Sequence, residues 1–204
     1  MPQPSSFARS TVDGRKEVGA VGLSAMQTFL ANQAGVLSVI DDSAEAGCQH
    51  LSVSLGYWFL LPKHVPVLPE KPLTVLVRGD TYPMNNMFLE MTASVSSAGA
   101  VPGWALTSKD DFWGYVFLAP KKALLIHRES FMAWFTTQPE AEQPENWRAA
   151  QLTHLHTKKF ASRGILLPVN RILAAGNSDW VTLLDLADCV PNEAQVFVRE
   201  RNAT

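Results

Sequence analysis

The chain has little that would tie it to a membrane, an oxidising compartment or a polyanion. Its two cysteines, Cys48 and Cys189, make neither a disulfide framework nor a zinc ligand set. A reducing, cytoplasmic setting fits that usage. No apolar run approaches the ~18 residues of a membrane span, and stretches such as Tyr57 to Leu61 have the length of a buried strand. No membrane partner is therefore expected. The opening MPQPSSFARS lacks the basic-then-apolar layout of a signal. Charge of one sign is missing too. Seventeen Lys+Arg stand against nineteen Asp+Glu, a formal net charge of −2, so binding to nucleic acid would need a local basic patch. There is no G-x-S-x-G nucleophile elbow. There is no phosphate-cradling glycine loop either, because Gly19 and Gly22 sit inside a helical pattern.

What is present is a folding domain. Hydrophobic residues make up 47% and charged residues 18%, which excludes bulk disorder. Residues 1–12 read as a flexible tail and 13–204 as one domain. Apolar residues at spacings of three and four predict a helix from Arg15 to Gln33. Gly19 and Gly22 weaken that helix but allow another backbone to approach it closely. Strands are expected at 36–40, from Ser52 to Leu61 (central, buried on both faces), at 73–78 and at 87–95. Prolines place a loop at 61–72, and 96–103 also reads as a loop. A hairpin follows, Asp111 to Leu118 with Ala123 to Ile126, then a short helix from Glu129 to Phe135. Residues 137–150 read as an exposed connection and 152–156 as an edge strand. A helix is expected from Pro168 to Ala175, with strands at 181–184 and 194–198. Helix, central strands and then short helices make the fold α/β or α+β rather than a sandwich.

Several segments then carry a resemblance by their order and spacing. Glu17 lies on the first helix, and Gln49 precedes VSLGYWFLL. VLVRGDTYPMNNMFLE contains Asn86 and Glu90. PGWALTSKDDFWGYVF contains Gly103, Trp104, Asp111, Trp113 and Tyr115, and LLIHRESFMAWF follows. From Gln49 to Leu125 the chain resembles the PD-(D/E)XK nucleases, specifically small phage and bacterial members. The resemblance implies a restriction-endonuclease-like central mixed β-sheet flanked by helices, and a phage-encoded protein. In that family a strand Asp and the Glu of Glu-x-Lys hold Mg²⁺, which activates water, and the Lys helps orient the attack.

At those positions the chain departs from the family. The Asp position falls on Ser52 or Ser54, the Glu position on Leu76 and the Lys position on Arg78. Leucine cannot bind Mg²⁺, and a serine hydroxyl is a poor sole ligand for a hard cation. Arg78 keeps a positive charge and a fork suited to phosphate, but it cannot serve as a base. The resemblance therefore implies a degenerate site without a cofactor, on a scaffold that binds nucleic acid or a protein partner. Two alternatives stand beside it. One is an active Mg²⁺-dependent nuclease whose carboxylates have moved to Glu17, Asp80 and Glu90. The other is a structural or assembly component of a phage particle.

Other side chains offer weaker signals. Lys158, Lys159, Arg163 and Arg171, with His154 and His156, could form a basic patch, although a solvated surface accounts for them more simply. His154 and His156 lack the nearby third ligand of a zinc site. Cys48, beside Gln49 and His50, reads as an inert thiol. Asp80 suits the turn before Pro83, and Arg128 and Glu129 suit a helix start. Trp104, after a Pro-Gly turn, could be exposed and stack on a base or a partner, although packing against the sheet accounts for it more simply.

Overall fold

The computed structural model describes residues 12–43, 49–56, 71–96, 99–138, 149–153 and 161–192. Helix α1 (Val12–Ala31) is followed by β1 (Val36–Asp41), β2 (His50–Leu55), β3 (Leu73–Asp80), β4 (Asn86–Ser96) and β5 (Gly99–Pro102). A single turn, α2 (Trp104–Thr107), leads into β6 (Phe112–Phe117), β7 (Lys122–His127) and α3 (Arg128–Phe135). Strands β8 (Ala149–Thr153) and β9 (Ala161–Pro168), helix α4 (Val169–Gly176) and β10 (Val181–Asp185) complete the order.

Six strands form a mixed central sheet in the order β1-β2-β3-β6-β7-β10. Its β3–β6 pair is parallel and its other pairs are antiparallel. Period-2 alternation assigns the two faces. Leu51, Val53, Leu73, Val75, Val77, Phe112 and Val116 meet Leu23, Ala25, Met26 and Leu30 of α1 in one core. Leu76, Trp113, Tyr115, Phe117, Leu124 and Ile126 face the other way. They pack with Met87, Leu89, Ile165 and Leu167 of a second, four-stranded sheet, and with Phe131, Phe135, Val169 and Ile172 of α3 and α4. That second sheet runs β5-β4-β9-β8, all antiparallel. The architecture is mixed α/β, a mixed central sheet flanked by helices, with the extra sheet on one side.

The glycines of α1 work as their spacing suggests. The Cα of Gly79 lies 3.0 Å from where a side chain on Gly22 would begin, and the carbonyl of Val18 occupies the space a Gly79 side chain would need. Backbone touches backbone here, so α1 sits directly on β3.

Four expectations need correction. Strand β2 begins at His50, lies next to the edge strand β1 rather than at the centre, and buries only alternate residues as far as Leu55. Residues 57–61 lie outside the described residues. The stretch 96–103 is not all loop, because Gly99–Pro102 pairs with β4. Strand β4 belongs to the second sheet, since Pro83 and the turn after Asp80 redirect the chain. Strand β9 escaped the reading even though Ile165 and Leu167 are buried around an exposed Leu166; three adjacent apolar residues hide a period of two. The tail as far as residue 11, Cys48, the strand expected at 194–198, and His154 and His156 fall outside the described residues. Among the described residues no helix is long and apolar enough to cross a membrane.

The contact between α1 and β3 makes a direct prediction. Gly79→Ala forces a methyl group onto the Val18 carbonyl, and neither backbone can swing aside as a flexible side chain would. Overpacking of this kind costs about 1–3 kcal/mol. Urea denaturation should show a lowered midpoint, and an unchanged midpoint would mean that α1 does not lie on β3.

Candidate functional site

The side chains on the second face of the central sheet lie in rows across β2, β3 and β6. His50 pairs with Leu76, and Leu76 with Trp113. Two residues further along β3, Arg78 pairs with Tyr115. In the opposite direction Ser52 pairs with Thr74, and Ser54 lies beyond, opposite Ser38 of β1. The three positions singled out by the resemblance thus share one sheet face. The residue facing Leu76 across the ladder is His50, not either serine.

Each side chain has a definite setting. Leu76 is 4% exposed, in the same buried cluster as Trp104 and Trp113. The guanidinium of Arg78 lies over the Trp104 ring, 5.7 Å from its centroid, a cation–π placement. Arg78 is partly exposed, and no carboxylate among the described residues pairs with it. The Ser52 hydroxyl donates to the Asp42 carboxylate. Trp104 itself is buried, packed on the sheet rather than exposed. Its ring meets Trp113 edge-on at 5.0 Å, and the short helix α2 presses it onto the sheet.

The relocated carboxylates do not converge. Glu17 is exposed on α1, which covers the opposite face. Glu90 belongs to β4 in the other sheet, opposite Gly164. Asp80 does serve its turn, accepting from the Tyr82 backbone N–H at 2.9 Å. Its second oxygen accepts from the Tyr115 hydroxyl at 2.6 Å. That hydroxyl in turn accepts from the Phe88 backbone N–H at 3.2 Å. Among the described residues no three His, Cys, Asp or Glu side chains gather into a group able to hold a metal.

The basic patch fares unevenly. Lys158 and Lys159 lie outside the described residues. Arg163 is on β9, opposite Thr92 and Gln151. Arg171, on α4, donates to Gln138 at 2.7 Å and lies 6.0 Å from the centroid of the Trp134 ring.

The sequence reading missed a polar network at the end of the His50 row. His50 Nδ1 lies 2.8 Å from Asp110, a buried carboxylate. The other Asp110 oxygen accepts from the Ser108 hydroxyl at 2.8 Å, and Trp113 Nε1 donates to the same Ser108 oxygen at 3.0 Å. Arg128, at the start of α3 as its sequence context suggested, donates through Nε to the Asp110 carbonyl at 2.7 Å. Asp111 accepts from the backbone N–H of Thr74 at 2.9 Å and from its hydroxyl at 3.1 Å. The loop between α2 and β6 is thereby fixed to β2, β3 and α3. The local signal was the alternation that puts His50 on the polar side of β2. Its partner is 60 residues away in sequence and has no local signature.

Burial, followed by the neighbouring Asp80 charge, pushes the Tyr115 phenol well above the ordinary tyrosine value. The folded chain therefore holds this proton at a pH where the unfolded chain releases it. The resulting stabilisation is complete below the ordinary value of about 10 and is lost as pH rises through the folded value. Denaturant midpoints measured across alkaline pH should fall above about pH 10 in the wild type and fall less steeply in Tyr115→Phe. At neutral pH the same substitution should cost about 1–3 kcal/mol, because it strands the Phe88 N–H and an Asp80 oxygen. Parallel alkaline limbs for the two proteins would refute the assignment.

No protein-family model matches the chain, and neither a curated protein nor a solved structure matches it. A functional reading rests on the geometry of this face and on the resemblance in the sequence.

Proposed function

We propose that this chain is a phage-encoded, PD-(D/E)XK-like protein with a degenerate site, binding nucleic acid through its Arg78 face in the host cytoplasm rather than cleaving it. The observation that carries the reading is the composition of that face. Where the family places its carboxylates and lysine, this chain has serines, a buried Leu76 and an Arg78 braced on Trp104. A braced guanidinium offers two parallel donors to a phosphate. A buried leucine offers nothing to Mg²⁺. A restriction-endonuclease-like core is part of the proposal, supported by the mixed sheet and by α1 packed on one of its faces.

A second reading, a protein partner or a role in particle assembly, has its own support. Leu37 and Ile40 on the edge strand β1 are 73% and 56% exposed. Exposed aliphatic residues on a sheet edge are the kind of surface that protein contacts cover.

One titration series separates the two. Fluorescently labelled duplex DNA, single-stranded DNA and single-stranded RNA are titrated at low and high salt. Binding should weaken with salt as neutralised phosphates release counterions. Arg78→Ala should weaken binding and reduce the salt slope by about one unit. Flat titrations for all three at low salt would eliminate the nucleic-acid reading and favour the protein partner.

A further inference from the structure

His50 is a polar side chain on the Arg78 face that the degenerate-nuclease reading leaves unused. An ionised carboxylate only accepts, so His50 Nδ1 carries the hydrogen that it shares with Asp110. The carboxylate is buried, and its second oxygen is held by Ser108, so it fixes the orientation of the imidazole ring. The side chain of His50 is 31% exposed, and Nε2 has no partner among the described residues. Arg78 lies on the neighbouring strand, two residues past the position opposite His50. Diagonal neighbours of this kind in an antiparallel pair are about 7–8 Å apart, within the joint reach of two long side chains.

We propose that His50 reads a ribose hydroxyl beside the phosphate held by Arg78, so that the ligand of this face is RNA rather than DNA. The inference rests on the nucleic-acid reading above and gives it a substrate class. A hydroxyl both donates and accepts, so it pairs with Nε2 whether that atom presents a lone pair or a hydrogen. A phosphate oxygen pairs with Nε2 only in the second case. In RNA the 2′-hydroxyl sits on the sugar that carries the adjoining 3′-phosphate, so one nucleotide supplies both groups. DNA offers nothing at that position and leaves Nε2 facing the sugar without a partner. Paired strands carry both residues, and Asp110 of the α2–β6 loop holds the His50 ring.

The test uses single-stranded RNA and DNA of identical sequence against the full chain. The wild type should prefer RNA by about three- to tenfold, the factor that one net hydrogen bond supplies. His50→Asn keeps an amide where Nδ1 met Asp110 but lacks Nε2, and it should bring RNA affinity down to that for DNA. His50→Gln reaches the Nε2 position and should keep part of the preference, which separates a lost contact from a damaged fold. Arg78→Ala should weaken both ligands alike. Equal RNA and DNA affinities that still depend on Arg78 would overturn this inference and leave the nucleic-acid reading standing. An RNA preference undiminished in His50→Asn would also overturn it. No binding to either strand would overturn both.

Discussion

The parallel pairing of β3 with β6 determines what each face of the molecule can do. Parallel neighbours require a crossover of a dozen residues or more, and here the crossover carries β4, β5 and α2. With α1 already against one face through Gly22 and Gly79, the crossover elements occupy the other. The same connection delivers Trp104 over Arg78 and places Ser108 and Asp110 immediately before β6, within reach of His50. One topological constraint thus builds the second core and assembles the polar row at its edge.

The polar row is held more firmly than its partial exposure suggests. Asp110 links β2 to the α2–β6 loop through His50, and its carbonyl ties that loop to α3 through Arg128. Asp111 closes the same loop onto β3 through Thr74. A buried carboxylate is tolerated when its oxygens are hydrogen-bonded, and both Asp110 oxygens are. Such a network stabilises little net of desolvation, but it fixes ring and loop in one arrangement. A binding face of the kind proposed would need that property.

Much of the central sheet was legible because its signals are local. The alternation of β3, the β6–β7 hairpin and the glycines of α1 are each contained within about twenty residues of sequence. The placement of β4 was not legible, because its apolar alternation is the same whichever sheet it joins. Only the pairing of Leu89 with Ile165 and of Met87 with Leu167 on β9 decides the matter. The candidate site was read in part. Ser52, Leu76 and Arg78 do share a face, since period 2 guarantees it within each strand. The register between β2 and β3 depends on the intervening segment, so the residue opposite Leu76 could not be read, and His50 was overlooked. The packing of Trp104 was the simpler reading of its residue type, but the partners it packs with, Trp113 and Arg78, were not legible, because no local pattern announces those contacts.

The departures from the nuclease pattern are coherent with one another. A carboxylate in place of Leu76 would lie at a position only 4% exposed, in the cluster that holds Trp104 and Trp113. An unpaired charge there would cost several kcal/mol unless a metal or a proton neutralised it. The hydroxyl that would have to help hold such a metal, on Ser52, is one row away and already donates to Asp42. Returning one acidic residue would therefore destabilise the second core without restoring a ligand set. Leu76 instead supports the packing of the two tryptophans, and Trp104 braces Arg78. With a net charge of only −2, long-range attraction contributes little to any encounter with a polyanion. Under the proposed reading, affinity would have to come from contact, and on this face the contacts available are a cation stacked on an indole and an imidazole held by a buried carboxylate.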